Sequence, residues 1–162
     1  MGLDMYLQRR KNIEQEAFSD AHDDKLSGVI YWRKANAIHK YFVDYGKLAH
    51  DGAPDVGYYY IDKQDLIHLI ERITSVLNGP EINETITYTK IADDMNEVHE
   101  DVKYNLDIEL AKELLPTTSG FFFGSTEYNH WYHEDLVRTL DLIKGELAAV
   151  PDNETWYYYA SW

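Results

Sequence analysis

Thr155-Trp156-Tyr157-Tyr158-Tyr159-Ala160-Ser161-Trp162 alternates strictly. Trp156, Tyr158, Ala160 and Trp162 fall on one side; Tyr157, Tyr159 and Ser161 fall on the other. Successive side chains of a strand point to opposite faces, so this pattern predicts a strand tied into a sheet. Gly2–Arg9 repeats it, with Leu3, Met5 and Leu7 against Asp4, Tyr6 and Gln8, and predicts a second half-buried strand.

Working inward, the period changes to that of helices. Tyr31, Ala35, Ile38, Phe42 and Tyr45 recur at spacings of four and three, predicting a helix through residues 31–45 that stops near Gly46. Residues 12–28 are polar, and 47–57 read as a loop around Gly52, Pro54 and Gly57. Tyr58–Ile61 is a short strand candidate. Asp62, with Asp65 three residues on, is placed to cap a helix whose stripe is Leu66, Ile70, Ile73 and Leu77 and whose stop is Asn78-Gly79-Pro80. Glu84–Ile91 has strand character. The acid-rich run Asp93–Asp101 reads as an exposed loop or helix. Asn105 or Asp107 caps a short helix to Leu115, before Pro116.

Phe121–Phe123 reads as a compact strand. Gly124-Ser125-Thr126 then turns into a long helix with buried stripe Tyr132, Leu136, Leu140, Ile143 and Leu147, broken by Pro151-Asp152-Asn153. Strands at both ends with helices between predict an α+β fold: a small, mostly antiparallel sheet with three to four helices packed on one face. At 162 residues, the chain is expected to form a single domain over 1–162.

Composition narrows the function classes. No cysteine is present, which excludes disulfides and thiolate metal sites. The start lacks the basic and apolar regions of a signal peptide, and no apolar run approaches a membrane span, so a cytoplasmic protein without membrane contact is expected. The formal net charge is −14, and it is unevenly spread: residues 1–50 carry +1 and residues 51–162 carry −15. So acidic a chain is repelled by a phosphate backbone, and no direct nucleic-acid binding is expected. Acid can also attract a basic protein surface or imitate DNA, or simply keep the protein soluble. Homo-oligomer formation stays open.

Two aromatic-polar blocks could carry chemistry. In the first, Trp32, Asn36 and His39 would share one flank of the predicted helix, with Arg33 and Lys40 beside it. An indole for stacking, a carboxamide, an imidazole and a guanidinium suit a nucleotide-like ligand. The same residues could equally finish a core edge and pair with acids. In the second block, Ser125 and Thr126 could help hold a phosphate at a helix start, or merely cap that helix with Glu127 in its first turn. Tyr128 and Trp131 add aromatic surface. The candidate ligand-binding set is therefore Trp32, Arg33, Asn36, His39, Lys40, Ser125, Thr126, Tyr128 and Trp131.

No catalytic residues can be assigned. There is no Gly-x-Ser-x-Gly elbow, and nothing in the spacing selects an acid–base pair such as His39 with Glu127. His130, His133 and Glu134 lack the histidine–glutamate–histidine order of a zincin, so no metal and no cofactor is expected. A binding protein is favoured over an enzyme.

Met1-Gly2-Leu3-Asp4-Met5-Tyr6-Leu7, the Tyr31-Trp32-Arg33-Lys34-x-Asn36-x-Ile38-His39 block, Glu113-Leu114-Leu115-Pro116, Ser119-Gly120-Phe121-Phe122-Phe123-Gly124-Ser125-Thr126-Glu127-Tyr128 and the Tyr158-x-x-Ser161-Trp162 run together resemble a family of small proteins encoded by bacteriophages and prophages. Residues 12–28 and 80–104 look like variable insertions within that resemblance. It transfers no catalytic residues. It implies an accessory role against host immunity in the host cell cytoplasm. Two forms fit the residues: a pocket that sequesters a nucleotide-like ligand, or an acidic inhibitor of a host nucleic-acid-binding defence protein. The first depends on Trp32, Arg33, Asn36, His39 and Tyr128, the second on the acids of residues 81–115.

Overall fold

The computed structural model describes residues 2–9, 30–48, 58–90, 96–150 and 155–162. The expectations for residues 12–28, 49–57, Asp93, Asp94 and Pro151-Asp152-Asn153 lie outside these residues. The elements run β1 (Asp4–Arg9), β2 (Ile30–Arg33), α1 (Asn36–Tyr45), β3 (Lys47–Leu48), β4 (Tyr58–Ile61), α2 (Lys63–Leu77), β5 (Glu81–Thr89), β6 (Glu97–Asn105), α3 (Ile108–Leu114), α4 (His130–Ala149) and β7 (Trp156–Ser161). The fold is α+β. One sheet has the order β2-β1-β7-β4-β3, with every pairing antiparallel; β5 and β6 form a separate hairpin.

The two alternating stretches are neighbours at the centre of the larger sheet. Met5 lies opposite Ala160, and Leu7 opposite Tyr158. Their predicted inner face is buried: Leu3, Met5, Leu7, Trp156, Tyr158 and Ala160 join Ile38 and Phe42 of α1, Leu66, Leu69 and Ile73 of α2, and Leu136 and Ile143 of α4 in one core. Each large apolar side chain fully removed from water contributes roughly 1.5–3 kcal/mol. The other face carries a row of tyrosines, Tyr31, Tyr6, Tyr159 and Tyr58, directly opposite one another across four strands.

Buried aromatics with polar tips must still satisfy them. Three of the tips on the larger sheet reach a helix. The Trp32 indole N–H donates to Thr139 Oγ1 at 2.9 Å, the Trp156 indole N–H donates to Glu146 Oε1 at 2.9 Å, and the Tyr158 hydroxyl meets His39 Nδ1 at 2.7 Å. Glu146 is also gripped by the Arg9 guanidinium through Nε and a terminal nitrogen. These bonds tie α1 and α4 to the sheet.

Local signals placed several elements where expected. Asp62 and Asp65 form a reciprocal capping box on α2, Asp107 caps α3, and the Gly46 N–H closes α1 on the Phe42 carbonyl. Gly46 is needed for room: a Cβ there would stand 2.5 Å from the Phe42 carbonyl oxygen and 2.7 Å from Tyr59 Cβ.

Other expectations are corrected. Residues 30–33 are strand, and α1 starts only at Asn36. Ile30 and Trp32 are buried while Tyr31 and Arg33 are exposed, a period of two that pairing with β1 enforces. Lys47 and Leu48 pair with β4 instead of looping. Residues 97–105 are strand despite their acids, because pairing with β5 buries Tyr104 while the charges stay in water. Phe121–Phe123 is no strand: Phe122 has φ 67°, and the Phe123 N–H turns back to the Gly120 carbonyl at 3.2 Å. Aromatic strand propensity counts only where a neighbouring strand receives it. Finally, α4 begins at His130, not after Thr126, because Asn129 caps it by accepting from the Trp131 and Tyr132 N–H groups.

Candidate functional site

Helix α1 starts without the usual protection. Lys34 holds φ 60°, Ala35 stands at the cap position with no side-chain cap, and no acid occupies the first turn. A lysine in the left-handed region is strained, and such strain persists where surrounding structure enforces it. Here the Lys34 N–H is fixed to the Leu3 carbonyl at 2.8 Å. A helix start directs unsatisfied N–H groups and a partial positive charge outward.

The segment 117–129 passes over this start, held by Asn36. The Asn36 carboxamide donates to the carbonyls of Phe123 at 3.1 Å and Ser125 at 2.8 Å, and accepts from the Thr118 N–H at 3.1 Å. The Tyr128 hydroxyl accepts from the Thr117 N–H at 3.1 Å, and the Thr117 hydroxyl donates to the Thr126 carbonyl at 2.9 Å. Gly124, at φ 87°, lets the segment close against Lys34: a Cβ there would lie 3.2 Å from Lys34 Cβ in a conformation L-residues avoid.

Between α1, this segment and the first turns of α4 lies a cleft of about 380 Å³. Arg33, Lys34, Ser125, Glu127, Trp131 and Asp135 contribute to its walls. Trp131 is 53% exposed, which is unusual for an indole. The Arg33 Nε is 3.9 Å from the Asp4 carboxylate, and over half of its side chain is solvent-accessible. Lys34 is exposed and makes no ion pair among the described residues. Asp135 is part-buried, and that desolvation pushes its carboxyl up to about 6; Arg138 pulls the other way and Glu134 adds to the rise. The cleft therefore offers cations, a helix start without a side-chain cap whose first N–H, that of Asn36, donates to the Lys34 carbonyl at 2.9 Å, an exposed indole, and a carboxyl near its titration point.

The candidate residues divide. Arg33, Asn36, Ser125 and Trp131 meet at this cleft, Asn36 as the clamp that builds it. Trp32 does not: it is on β2, fully buried, and its indole is committed to Thr139. The helical flank of Trp32, Asn36 and His39 therefore does not exist, since Trp32 precedes the helix. His39 and Lys40 line a second cleft of about 320 Å³ with Phe121, Phe123 and Trp162. There His39 is buried, and the Lys40 ammonium pairs with Asp44 at 2.8 Å. Thr126 and Tyr128 brace the segment through Thr117. Ser125 caps no helix; its hydroxyl oxygen accepts from the Glu127 N–H at 3.1 Å.

His39 and Glu127 line different clefts, which removes them as an acid–base pair. One donor atom from each of His130, His133 and Glu134 lies within 4.8 Å of the others. These three residues are therefore grouped closely enough that they could hold a metal ion together. Sequence reasoning missed Lys34 and Asp135. The four-residue spacing of Trp131 and Asp135 was visible, but only the cleft makes it meaningful. No helix among the described residues is long and apolar enough to cross a membrane.

Comparison of the chain with protein-family models, curated proteins and solved structures gave no match.

Proposed function

We propose that this chain binds a small nucleotide-like anion in the first cleft, as a phage-type accessory protein that counters host defence in the host cytoplasm. One observation carries the reading: the uncapped start of α1, flanked by Arg33 and Lys34, faces the same cleft as the half-exposed Trp131. A phosphate suits the helix start and its two cations. A base suits the indole face, where stacking is worth about 1–3 kcal/mol. The cleft volume, about 380 Å³, falls in the range of small-ligand sites. The phage role rests on the sequence resemblance alone.

In this reading the ligand is held and not turned over. Thermal shift against a panel of cyclic and linear nucleotides tests binding. A rise in melting temperature that is lost in Lys34→Ala and Trp131→Ala supports it; a flat response from folded protein overturns it. Mass spectrometry of a bound nucleotide after incubation separates sequestration, with mass unchanged, from catalysis.

A second reading has its own observation. The β5–β6 hairpin exposes Glu81, Glu97, Glu100 and Asp101, with Lys90 and Lys103 as the cations in these strands and the residue after them. This surface suits an inhibitor of a basic, nucleic-acid-binding host protein. Capture of such a protein that survives charge reversal at Glu97 and Glu100, or is indifferent to salt, contradicts it.

A further inference from the structure

The Asp135 carboxyl is the least explained group in the first cleft. It is part-buried, and among the described residues no hydrogen bond or ion pair to its carboxylate occurs; beyond the helix's own backbone bonds, the Thr139 hydroxyl donates to its backbone carbonyl at 2.6 Å. Glu127, the other cleft carboxylate, is exposed and has the Asn129 amide at 3.5 Å. Its oxygens are not fully buried, so they stay accessible, and a ligand in the cleft can supply the donors that the protein does not. Asp135 also lies four residues after Trp131, which sets both on one face of α4, both lining the cleft. A base stacked on the indole would hold its edge toward that carboxyl.

An ionised carboxylate only accepts hydrogen bonds. It therefore matches a planar edge with two adjacent donors. Among the common bases only guanine has one, in N1–H and the N2 amino group. The Watson–Crick edges of adenine and cytosine pair a donor with an acceptor, and that of uracil places one donor between two acceptors; each would set a lone pair against the carboxylate. We infer that Asp135 is a specificity-determining residue and that the ligand is a guanine nucleotide, with the base on Trp131, its donor edge on Asp135, and its phosphate at Arg33, Lys34 and the start of α1. This rests on the nucleotide reading of the same cleft and narrows it to one base. The proton balance agrees: desolvation holds the empty carboxyl near its titration point, and two donors from guanine would favour the ionised form.

The test is isothermal titration of the full chain with GMP, AMP, CMP and UMP at pH 7.5, repeated with Asp135→Asn and Trp131→Ala. A bidentate base contact discriminates by roughly tenfold or more. Wild type should prefer GMP to AMP by at least that factor. Asp135→Asn replaces an acceptor with a donor, so it should erase the preference while AMP binding holds or improves. Trp131→Ala should weaken all four together. Equal binding of the four by wild type overturns the guanine inference and leaves the nucleotide reading standing. Binding of none overturns both. A GMP preference that survives Asp135→Asn, with the variant shown folded by circular dichroism, removes Asp135 from the role; the wild-type comparison decides the base even if that variant fails to fold.

Discussion

Replacing Asn36 with alanine should dismantle the cleft although Asn36 need not touch a ligand. The side chain is 4% exposed and makes three hydrogen bonds to the 117–129 segment. Each contributes about 0.5–1.5 kcal/mol net, and a buried partner left unsatisfied costs about 1–3 kcal/mol. Phe123 is buried, so its carbonyl loses its donor outright; Ser125 is exposed, and its carbonyl can turn to water. The expected loss is therefore about 2–4 kcal/mol. Urea unfolding at 25 °C measures it, and titration with a nucleotide measures the site. Affinity should fall at least tenfold under conditions where the variant stays folded. Asn36→Asp is the sharper probe: it keeps an acceptor for the Thr118 N–H but sets an oxygen against two carbonyls, and should cost at least as much as alanine. A loss under about 1 kcal/mol for either variant, with affinity intact, would refute the clamp; that is less than even one unsatisfied buried group.

Three further outcomes follow from buried polar groups. The Asp135 pKa is raised from 3.8 to about 6, so the native state holds that proton more tightly than the unfolded chain. Its contribution is full below about pH 4 and is lost as pH rises through about 6, by about 3 kcal/mol in all. The difference in urea stability between wild type and Asp135→Asn should therefore change over that window and level off above it. Thr139→Val keeps shape but strands the Trp32 indole N–H in the core, at about 1–3 kcal/mol by denaturant titration. Glu146→Ala removes an acceptor from Arg9 and strands the buried Trp156 indole N–H, and should destabilise by about 1–3 kcal/mol, the cost of an unsatisfied buried donor.

Local patterns made much of the fold legible. Strict alternation marked β1 and β7, and the caps at Asp62 and Asp107 marked α2 and α3, because each signal is complete within a few residues. The start of α1 was misread for a physical reason: Tyr31, Ala35 and Ile38 fit a helical period, while the strand period of Ile30 and Trp32 becomes decisive only once β1 lies alongside. The acids of β6 hid a strand that pairing with β5 creates. At the site, the segment from Thr117 to Asn129 owes its path to a carboxamide more than eighty residues away in sequence. No local reading contains that bond. Arg33, Asn36, Ser125 and Trp131 were named from composition, and they do meet; Trp32 and His39 were named by the same logic and serve the core and a separate cleft.

The four tryptophans provide the most direct test. Trp131 lines the proposed cleft, Trp162 lines the second one, and Trp32 and Trp156 are buried with their indole N–H groups already bonded. In an ¹⁵N-resolved NMR titration with GMP, the Trp131 indole resonance should shift saturably while those of Trp32, Trp156 and Trp162 hold. No shift at Trp131 up to millimolar nucleotide, or a shift confined to Trp162, would contradict the account.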